Sequence, residues 1–490
     1  MLQRFRQSSQ YNCHAPTILD CPAPTSPLVE PRKHHFLPIG KGPDTMRTVS
    51  LSLLLTFLTV QGVPQDRTEQ LASRVKSEFL HAWQGYKKYA WKHDAYKPLS
   101  KTAEDWYGTP FYLTAVEALD ALMVMRLDEE ADSTREFLAT HLSFDKDVYV
   151  PVPDMASRVI GGLLGSYQLS ADSRLLALAD SLGTRLLPAF ISPTAMPYRE
   201  INLKTGAVRG ELLSPGDVGS LFLEFSTLGF LTGKAAYFNH AKIALLEVYA
   251  HRSNLDLPGE EINISTGEWT RTDSHLDSGI GEYYDAILKG SFLFDDADCK
   301  QMWSAHYAAI NRYLLDSSAA GSWYGHADMN SGKRTRTCTG ARAAALPALQ
   351  ALFSDTGRAE RTIQSWYALW RKFGAQPELY DYAAGAVVKP ACSLNPALCE
   401  SVFTIDRLIG GPAYTSMGEA LLDSLILHCR TDEGYAELTD VTTKTKADRL
   451  DPLFFAGTMK YLYLLFTPPE VLDFGRMLMN THGHPIRKVF

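Results

Sequence analysis

The chain has 490 residues, of which 45% are hydrophobic and 21% charged, and its 48 Lys and Arg against 55 Asp and Glu give a formal net charge of −7. These proportions are those of a globular protein and exclude a chain that is disordered throughout. The mild acidity and the lack of a basic block argue against nucleic acid as the main partner.

The first feature along the chain is a short apolar stretch at 51–60, LSLLLTFLTV. It is shorter than the about 20 residues that a membrane-spanning helix requires. Because Met46 and Arg47 precede it and Gly62 follows closely, 46–62 is predicted to be a secretory signal peptide. Two interpretations of the polar residues 1–45 remain open. They are either a gene-model artefact, with translation starting at Met46, or a genuine disordered extension before an uncleaved anchor.

From Thr68 onwards the chain is predicted to form helices in consecutive pairs. Leu71, Val75 and Phe79 recur at helical spacing. Similar patterns follow at 112–125, 129–141, 156–169, 173–187, 218–231, 235–251, 280–294, 298–315, 341–353, 358–373, 399–408, 416–429 and 452–466. Strand-like alternation is confined to 148–152 and 476–480. About fourteen helices without a polar linker predict one closed all-α domain over 66–490, with inner and outer rings and a pocket at one end.

The cysteines and one asparagine bear on the compartment. With translation from Met46, five cysteines remain, which in a secretory lumen allow at most two disulfides and one free thiol. Their pairing cannot be read from the sequence. Asn263-Ile264-Ser265 is an acceptable N-glycosylation site, as a lumenal route would permit.

Seven segments, in order along the chain, carry a resemblance to a known family. They are VYVPVPDMASRVIGGLLGSY (148–167), DVGSLFLEFSTL (217–228), SGIGEYYDAILK (278–289), WYGHADMNSG (323–332), QPELYD (376–381), KYLYLLF (460–466) and NTHGHP (480–485). Together they resemble glycoside hydrolase family 47, the class I α-1,2-mannosidases. The resemblance implies an (α/α)7 barrel of helical hairpins plugged by a C-terminal strand near 476–484.

The resemblance also implies a function. It points to calcium-dependent, inverting removal of α-1,2-linked mannose from N-glycans in the secretory pathway, in the endoplasmic reticulum lumen or outside the cell. The expected partners are high-mannose glycans or mannosylated glycoproteins, and the expected state is a monomer. Thr481 is the implied calcium ligand, and a hard cation of this kind requires oxygen ligands.

The chemistry requires two carboxyl groups about 6.5–9.5 Å apart, one as acid and one as base. Asp154 stands where the family has the glutamate that is its acid candidate, with an arm one methylene shorter. Glu400, or else Glu282, is the candidate base. The expected substrate-binding residues are Asp217, Glu378, Asp451 and Phe454. Structural roles remain open, since Asp154 could cap a helix and Glu400 could suit a helix dipole.

Four carboxylates that the family places in its pocket are replaced here. The replacing residues are Gly281, Ala397, Gly457 and His482. Glu282 adjoins the first of them but on a helix points about 100° away. Since losing a general acid or base typically costs about 10²–10⁴-fold, hydrolysis is predicted to be impaired or absent, with mannose binding retained. The alternatives are an active calcium-dependent enzyme with relocated carboxylates and a folded remnant with neither property. His482 would also weaken calcium binding beside Thr481.

His326 and Asp328, in the segment WYGHADMNSG, resemble a metal-binding pair. Two residues without further ligands are weak evidence for a metal. A hydrogen-bonding role within a loop is the preferred interpretation.

Overall fold

The structure is a computed structural model that describes residues 65–318 and 321–489. The predicted extension at 1–45 and signal peptide at 46–62 lie outside the described residues. Within the described part, no helix is both long and apolar enough to cross a membrane.

Helices dominate the described residues and follow the predicted pattern closely. They are α1 Gln65–Tyr89, α2 Leu113–Val124, α3 Asp128–His141, the single turn α4 Val152–Asp154, α5 Gly161–Ser170, α6 Ser173–Leu186, α7 Pro215–Thr232, α8 Ala235–Ala250, α9 Gly281–Leu293, α10 Ala297–Ala309, α11 Leu346–Leu352, α12 Thr356–Phe373, α13 Ala397–Leu408, α14 Pro412–Cys429 and α15 Lys460–Leu465. Stretches of π-helix at Met155–Ile160 and Phe454–Met459 lead directly into α5 and α15, and a third, Ile310–Leu314, follows α10.

The helices form two concentric rings. Helices α2, α5, α7 and α9 contact one another in succession, and so do α11, α13 and α15. The 3-10 helix Ala341–Ala345 contacts both α9 and α13 and connects the two series, and the π-helical Phe454–Met459 contacts α2 and closes the inner ring. The outer ring consists of α1, α3, α6, α8, α10, α12 and α14, which pack against the inner helices. An inner helix such as α9 is buried almost all round, whereas the outer α12 buries one apolar face. The predicted (α/α)7 barrel is confirmed.

Short strands join the helices, in far greater number than the sequence indicated. They are β1 Ala95–Lys97, β2 Thr102–Glu104, β3 Tyr149–Pro151, β4 Glu200–Asn202, β5 Val208–Arg209, β6 Leu212–Leu213, β7 Glu261–Asn263, β8 Trp269–Arg271, β9 Asp273–Ser274, β10 Leu315–Ser318, β11 Gly321–Tyr324, β12 His326–Asp328, β13 Arg334–Arg336, β14 Cys338–Gly340, β15 Leu379–Asp381, β16 Ala386–Lys389, β17 Arg430–Thr431, β18 Gly434–Tyr435, β19 Leu438–Asp440, β20 Thr445–Lys446, β21 Met477–Met479 and β22 Pro485–Arg487. They pair antiparallel in nine sheets of two or three strands. Strands of two to four residues are too short for alternating hydrophobicity to reveal them.

The C-terminal strand that was predicted to plug the barrel is half of a hairpin. Strands β21 and β22 pair, and the tip between them, 480–484, reaches the inner helices. Asn480 Nδ2 donates to the carbonyl of Ser157 at 3.0 Å and to Glu224 Oε1 at 2.7 Å. His484 Nδ1 lies 2.7 Å from Asp120 Oδ2. These contacts hold the tip at the centre of the ring.

Glycines in the GGLLG run of the sequence make room for this plug. A Cβ on Gly161 would lie 2.6 Å from Asn480 Nδ2, and one on Gly165 would lie 3.0 Å from Cδ of Pro485. Since real side chains do not approach so closely, the helix carries glycine where the hairpin passes it.

The five cysteines of the described part are all buried free thiols. They are Cys299, Cys338, Cys392, Cys399 and Cys429. The disulfides that a lumenal compartment would permit are therefore not formed among the described residues.

Candidate active site

An open cleft of about 350 Å³ lies where the inner helices begin and the plug ends. Its size is within the range of ligand-binding pockets. The segments that contribute to it are the end of α4, the first turns of α7 and α9, the strands β7 and β8, and the tip of the plug. Its polar lining includes Asp154, Ser157, Arg199, Asp217, Glu260, Glu261, Arg271, Glu282 and His482.

Two of the predicted site residues, Asp154 and Asp217, line this cleft. Asp154 is half-buried at the end of α4 and its Oδ2 accepts from the Tyr107 hydroxyl at 3.3 Å. Asp217 completes a capping box at the start of α7, where its Oδ2 accepts from the Ser214 backbone N–H at 2.9 Å. Burial raises the pKa of Asp217 above its ordinary value. Asp217 therefore caps α7 and at the same time lines the cleft.

Glu282, the alternative candidate base, also lines the cleft, whereas the neighbouring Gly281 does not. It lies in the first turn of α9, where its Oε2 accepts from the backbone N–H of Gly279, in the loop before the helix, at 2.9 Å. A Cβ on Gly216 would lie 2.9 Å from this oxygen, so glycine at 216 leaves space for it. The different surroundings of Gly281 and Glu282 agree with the angle of about 100° between neighbouring positions on a helix.

Glu400, the other candidate base, is not among the cleft-lining residues. It is 3% exposed, and its Oε1 accepts from Lys289 Nζ at 2.8 Å. Lys289 also forms an ion pair with Asp285 at 2.7 Å. Burial lowers the pKa of Lys289, but these two carboxylates together raise it above its ordinary value. Glu400 is therefore engaged in a buried charge cluster, apart from Asp154.

Three further predicted substrate-binding residues also lie outside the cleft lining. Glu378 Oε1 accepts from the Ser393 backbone N–H at 3.0 Å beside a separate cavity of about 10 Å³. Asp451 is buried and accepts from Arg158 Nη1 at 2.9 Å. Phe454 is 1% exposed, with its ring 5.0 Å from that of Tyr435. The structure thus gives each of these side chains an intramolecular partner.

At two of the positions where the family resemblance implies a carboxylate, the structure leaves no space for one. A Cβ on Gly281 would lie 2.6 Å from the carbonyl oxygen of Leu276. A Cβ on Gly457 would lie 2.7 Å from Cγ of Pro396. Ala397, which follows this proline, is completely buried. Backbone and ring atoms now fill the places where acidic side chains would begin.

His482, at the fourth of these positions, does line the cleft. It is half-buried, and its backbone N–H donates to Asn480 Oδ1 at 2.9 Å. Burial and the positive charges of Arg158 and Arg342 hold the pKa of His482 well below its ordinary value. A neutral imidazole therefore lies in the cleft where the family resemblance implies a carboxylate.

The implied calcium ligand, Thr481, is buried next to a cation of the protein. Its carbonyl oxygen accepts from Arg342 Nη1 at 3.3 Å, and Arg342 is 7% exposed. A guanidinium stays protonated at any pH at which the protein is folded, so it repels a divalent ion from this oxygen. The residues around Thr481 therefore do not fit calcium. No pattern in the sequence indicated Arg342 as a site residue.

A second cluster has the spacing of a metal site but is already satisfied by its own charges. Ligand atoms of His275, Asp277 and His326 lie within 4.8 Å of one another. His326 Nδ1 is 2.7 Å from Asp273 Oδ2, and its Nε2 is 2.9 Å from Asp277 Oδ2. Both ring nitrogens thus face carboxylates, which is the arrangement of an imidazolium between two anions. Asp328 instead accepts hydrogen bonds in the following turn, as the sequence interpretation preferred.

The imidazolium between Asp273 and Asp277 predicts a pH dependence of stability. Burial lowers the pKa of His326, but its two hydrogen bonds raise it to about 9. The stabilisation is then complete below the unfolded pKa of about 6.5 and is lost as pH rises through about 9. His326→Gln should reduce the free energy of unfolding by about 3 kcal/mol more at pH ~6 than at pH ~10. Chemical denaturation at both pH values measures this free energy. An equal loss at both pH values would contradict the assignment of His326 as an imidazolium.

Comparisons with known proteins agree with the barrel and its segments. The profile of glycosyl hydrolase family 47 matches residues 78–488. Alpha-mannosidase I MNS5 of Arabidopsis thaliana is 33% identical over 473 residues, covering 90% of this chain and 81% of that protein. The ER degradation-enhancing alpha-mannosidase-like protein 2 of Homo sapiens is 31% identical over 448 residues, covering 84% of this chain and 77% of that protein.

A solved structure shares the architecture. The alpha-1,2-mannosidase from Trichoderma reesei superposes with a TM-score of 0.78 at 20% identity, covering 86% of this chain and 99% of that chain. At this identity the superposition bears on the fold alone. Because the family profile itself extends over most of the sequence, the chain belongs to glycosyl hydrolase family 47.

Proposed function

We propose that this protein binds α-1,2-linked mannose of high-mannose N-glycans in its cleft and does not cleave the bond at a rate typical of active α-mannosidases. The observation that carries the proposal is the loss of space at Gly281 and Gly457. Inverting hydrolysis needs an acid and a base on opposite faces of the sugar. Asp154 remains at the acid position, but the carboxylates at 281, 397, 457 and 482 are gone. The machinery is therefore incomplete around a cleft that is still open.

The walls of the cleft support retained binding. Asp154, Asp217 and Glu282 offer carboxylate oxygens to sugar hydroxyl groups, and Arg199 and Arg271 offer donors. Hydrogen bonds to charged groups contribute about 1.5–3 kcal/mol each, more than neutral ones. A polar ligand with several hydroxyl groups, such as a mannose residue, matches this lining.

The proposed setting is the secretory pathway, in the endoplasmic reticulum lumen or outside the cell. The predicted signal peptide at 46–62 supports it. Relatives in the comparison bear names that refer to degradation from the endoplasmic reticulum. The proposed partners are mannosylated glycoproteins, with the chain acting as a monomer.

Calorimetric titration with α-1,2-mannobiose, together with an assay for free mannose, tests the proposal. We expect saturable binding, with mannose release at least about 10⁴-fold below that of an active α-1,2-mannosidase, because general acid–base catalysis contributes about 10²–10⁴ per group. Asp217→Asn should weaken binding roughly ten-fold, the effect of one charged hydrogen bond. Asp432→Asn is the matched control, since Asp432 is exposed and outside the cleft lining. Failure to bind mannobiose at all would contradict the proposal.

One observation favours a second candidate function, an active mannosidase with a relocated base. Asp154 and Glu282 line the same cleft and could serve as acid and base. In that case the wild-type protein releases mannose at a rate comparable to active α-1,2-mannosidases. Asp154→Asn and Glu282→Gln would then each abolish release, while Asp432→Asn would not.

A further inference from the structure

Arg342 occupies the floor of the barrel beside the tip of the plug. We propose that its guanidinium takes the place of the calcium ion that the family resemblance implies, so that the barrel needs no divalent cation. This inference concerns the plug and does not depend on whether the cleft binds mannose.

The contacts of Arg342 place it between the plug and the inner ring. Its Nη1 donates to the carbonyl oxygen of Thr481 at 3.3 Å, and its Nε lies 3.4 Å from Glu282 Oε1. The Arg342 side chain is 7% exposed, so these contacts are shielded from solvent. One cation therefore links the hairpin tip to the first turn of α9, which is what an ion held by the same oxygens would do.

The surrounding charges require a cation at this point. Glu282, Asp285 and Glu400 all interact electrostatically with Arg342. Lys289 forms ion pairs with Asp285 and Glu400, at 2.7 and 2.8 Å. Lys289 therefore neutralises Asp285 and Glu400, whereas the cation that lies within salt-bridge distance of Glu282, among the described residues, is Arg342. Removing a partner from buried charges of this kind is costly, because the remaining charge is left uncompensated.

Calcium has no comparable set of ligands here. It takes about 6–8 oxygen ligands at about 2.3–2.6 Å, several of them usually carboxylates. The Thr481 carbonyl is already engaged, and two of the nearby family carboxylate positions are Gly457 and His482. An arginine supplies its charge at every pH at which the protein is folded, and its planar group fixes the direction of each hydrogen bond. In the proposed arrangement, the positive charge beside Thr481 therefore belongs to an arginine side chain and not to a bound calcium ion.

Thermal unfolding with calcium or with a chelator tests the proposal on the full chain. The melting temperature of the wild-type protein should be the same in millimolar CaCl₂ and in EGTA, and Tb³⁺ should give no stoichiometric luminescence signal. Arg342→Ala should melt at lower temperature in both solutions, because Glu282 is then left without its cation and the link from the plug to α9 is lost. Arg342→Lys, which keeps the charge, should remain indifferent to calcium.

Two results would overturn the inference. One is a wild-type melting temperature that rises in CaCl₂ relative to EGTA. The other is an Arg342→Ala protein that melts at the wild-type temperature, because then the guanidinium does not hold the plug to the inner ring. If Arg342→Ala does not fold, the wild-type and Arg342→Lys measurements decide, and calcium-dependent melting of either contradicts the proposal.

Discussion

Restoring acidic residues at the two closed positions is expected to destabilise the barrel. Gly457→Glu would bring a Cβ to 2.7 Å from Pro396 Cγ, and Gly281→Asp would bring one to 2.6 Å from the carbonyl oxygen of Leu276. Overpacking typically costs about 1–3 kcal/mol, and a poorly paired carboxylate in a buried place costs more. Each variant should therefore lose about 3 kcal/mol of unfolding free energy. Equilibrium denaturation in urea measures the loss.

Two further variants test this expectation, a matched control at Gly357 and a second substitution, at Pro396, that should remove the clash. Gly357 is the exposed second residue of α12, and a Cβ there meets only Arg361 Nη1 at 3.6 Å. Gly357→Asp also places a carboxylate near a helix N-terminus and should change stability by less than about 0.5 kcal/mol. Pro396→Ala should recover part of the cost of Gly457→Glu, because the two groups compete for one space. If Gly281→Asp were as well tolerated as Gly357→Asp, the site would not be closed.

The lack of space at Gly281 and Gly457 also determines how many substitutions a fully acidic pocket would require. If carboxylates alone were missing, one substitution at each position would restore the pocket. Here Pro396, the Leu276 carbonyl and Arg342 fill or charge the same region, so several changes would have to reverse together. Under the proposed function, the packing around these positions would itself oppose a return of hydrolysis. This agrees with the proposed role as a binding protein.

The helices could be predicted because each carries its own signal in the sequence. The expected 280–294 and 358–373 correspond to α9 Gly281–Leu293 and α12 Thr356–Phe373. The spacing of apolar residues records which face is buried, and burial of that face drives the ring together. The π-helical Met155–Ile160 has no such signal, because all of its residues are buried and no periodic apolar face marks it.

The site was less predictable, because its charges pair over long sequence separations. Asp154 and Asp217 could be placed by the segments that carry the resemblance. Glu400, however, is held by Lys289, 111 residues away, and Thr481 by Arg342, 139 residues away. Neither pairing leaves a local pattern, so the sequence could suggest which carboxylates exist but not which are already neutralised. Only the packed barrel separates cleft residues from structural ion pairs.

The stability of the plug should depend strongly on a buried triad that is centred on Asp120 of α2 and includes Lys460 of α15 and His484 of the hairpin tip. Asp120 accepts from Lys460 Nζ and lies 2.7 Å from His484 Nδ1, and all three side chains are completely buried. Burial opposes ionisation of Asp120, but its two partners hold its pKa below the ordinary value. Asp120→Ala leaves a buried lysine without its anion and should cost about 3–5 kcal/mol. Urea denaturation measures the loss, and hydrogen exchange at 477–487 should report earlier opening of the hairpin.

An exposed ion pair provides the control for this triad. Arg74 Nη1 and Asp423 Oδ1 are 2.6 Å apart, with side chains 43% and 52% exposed. Asp423→Ala should cost less than about 1 kcal/mol, because solvent screens such pairs. Replacing both buried partners, as Asp120→Leu with Lys460→Met, should cost less than Asp120→Ala alone, since no charge is then left buried. A loss for Asp120→Ala no larger than that for Asp423→Ala would mean that the hairpin is held by its apolar strands β21 and β22. The expected order instead makes Asp120 one of the polar attachments of the plug to the inner ring, beside the contacts of Asn480 with Ser157 and Glu224.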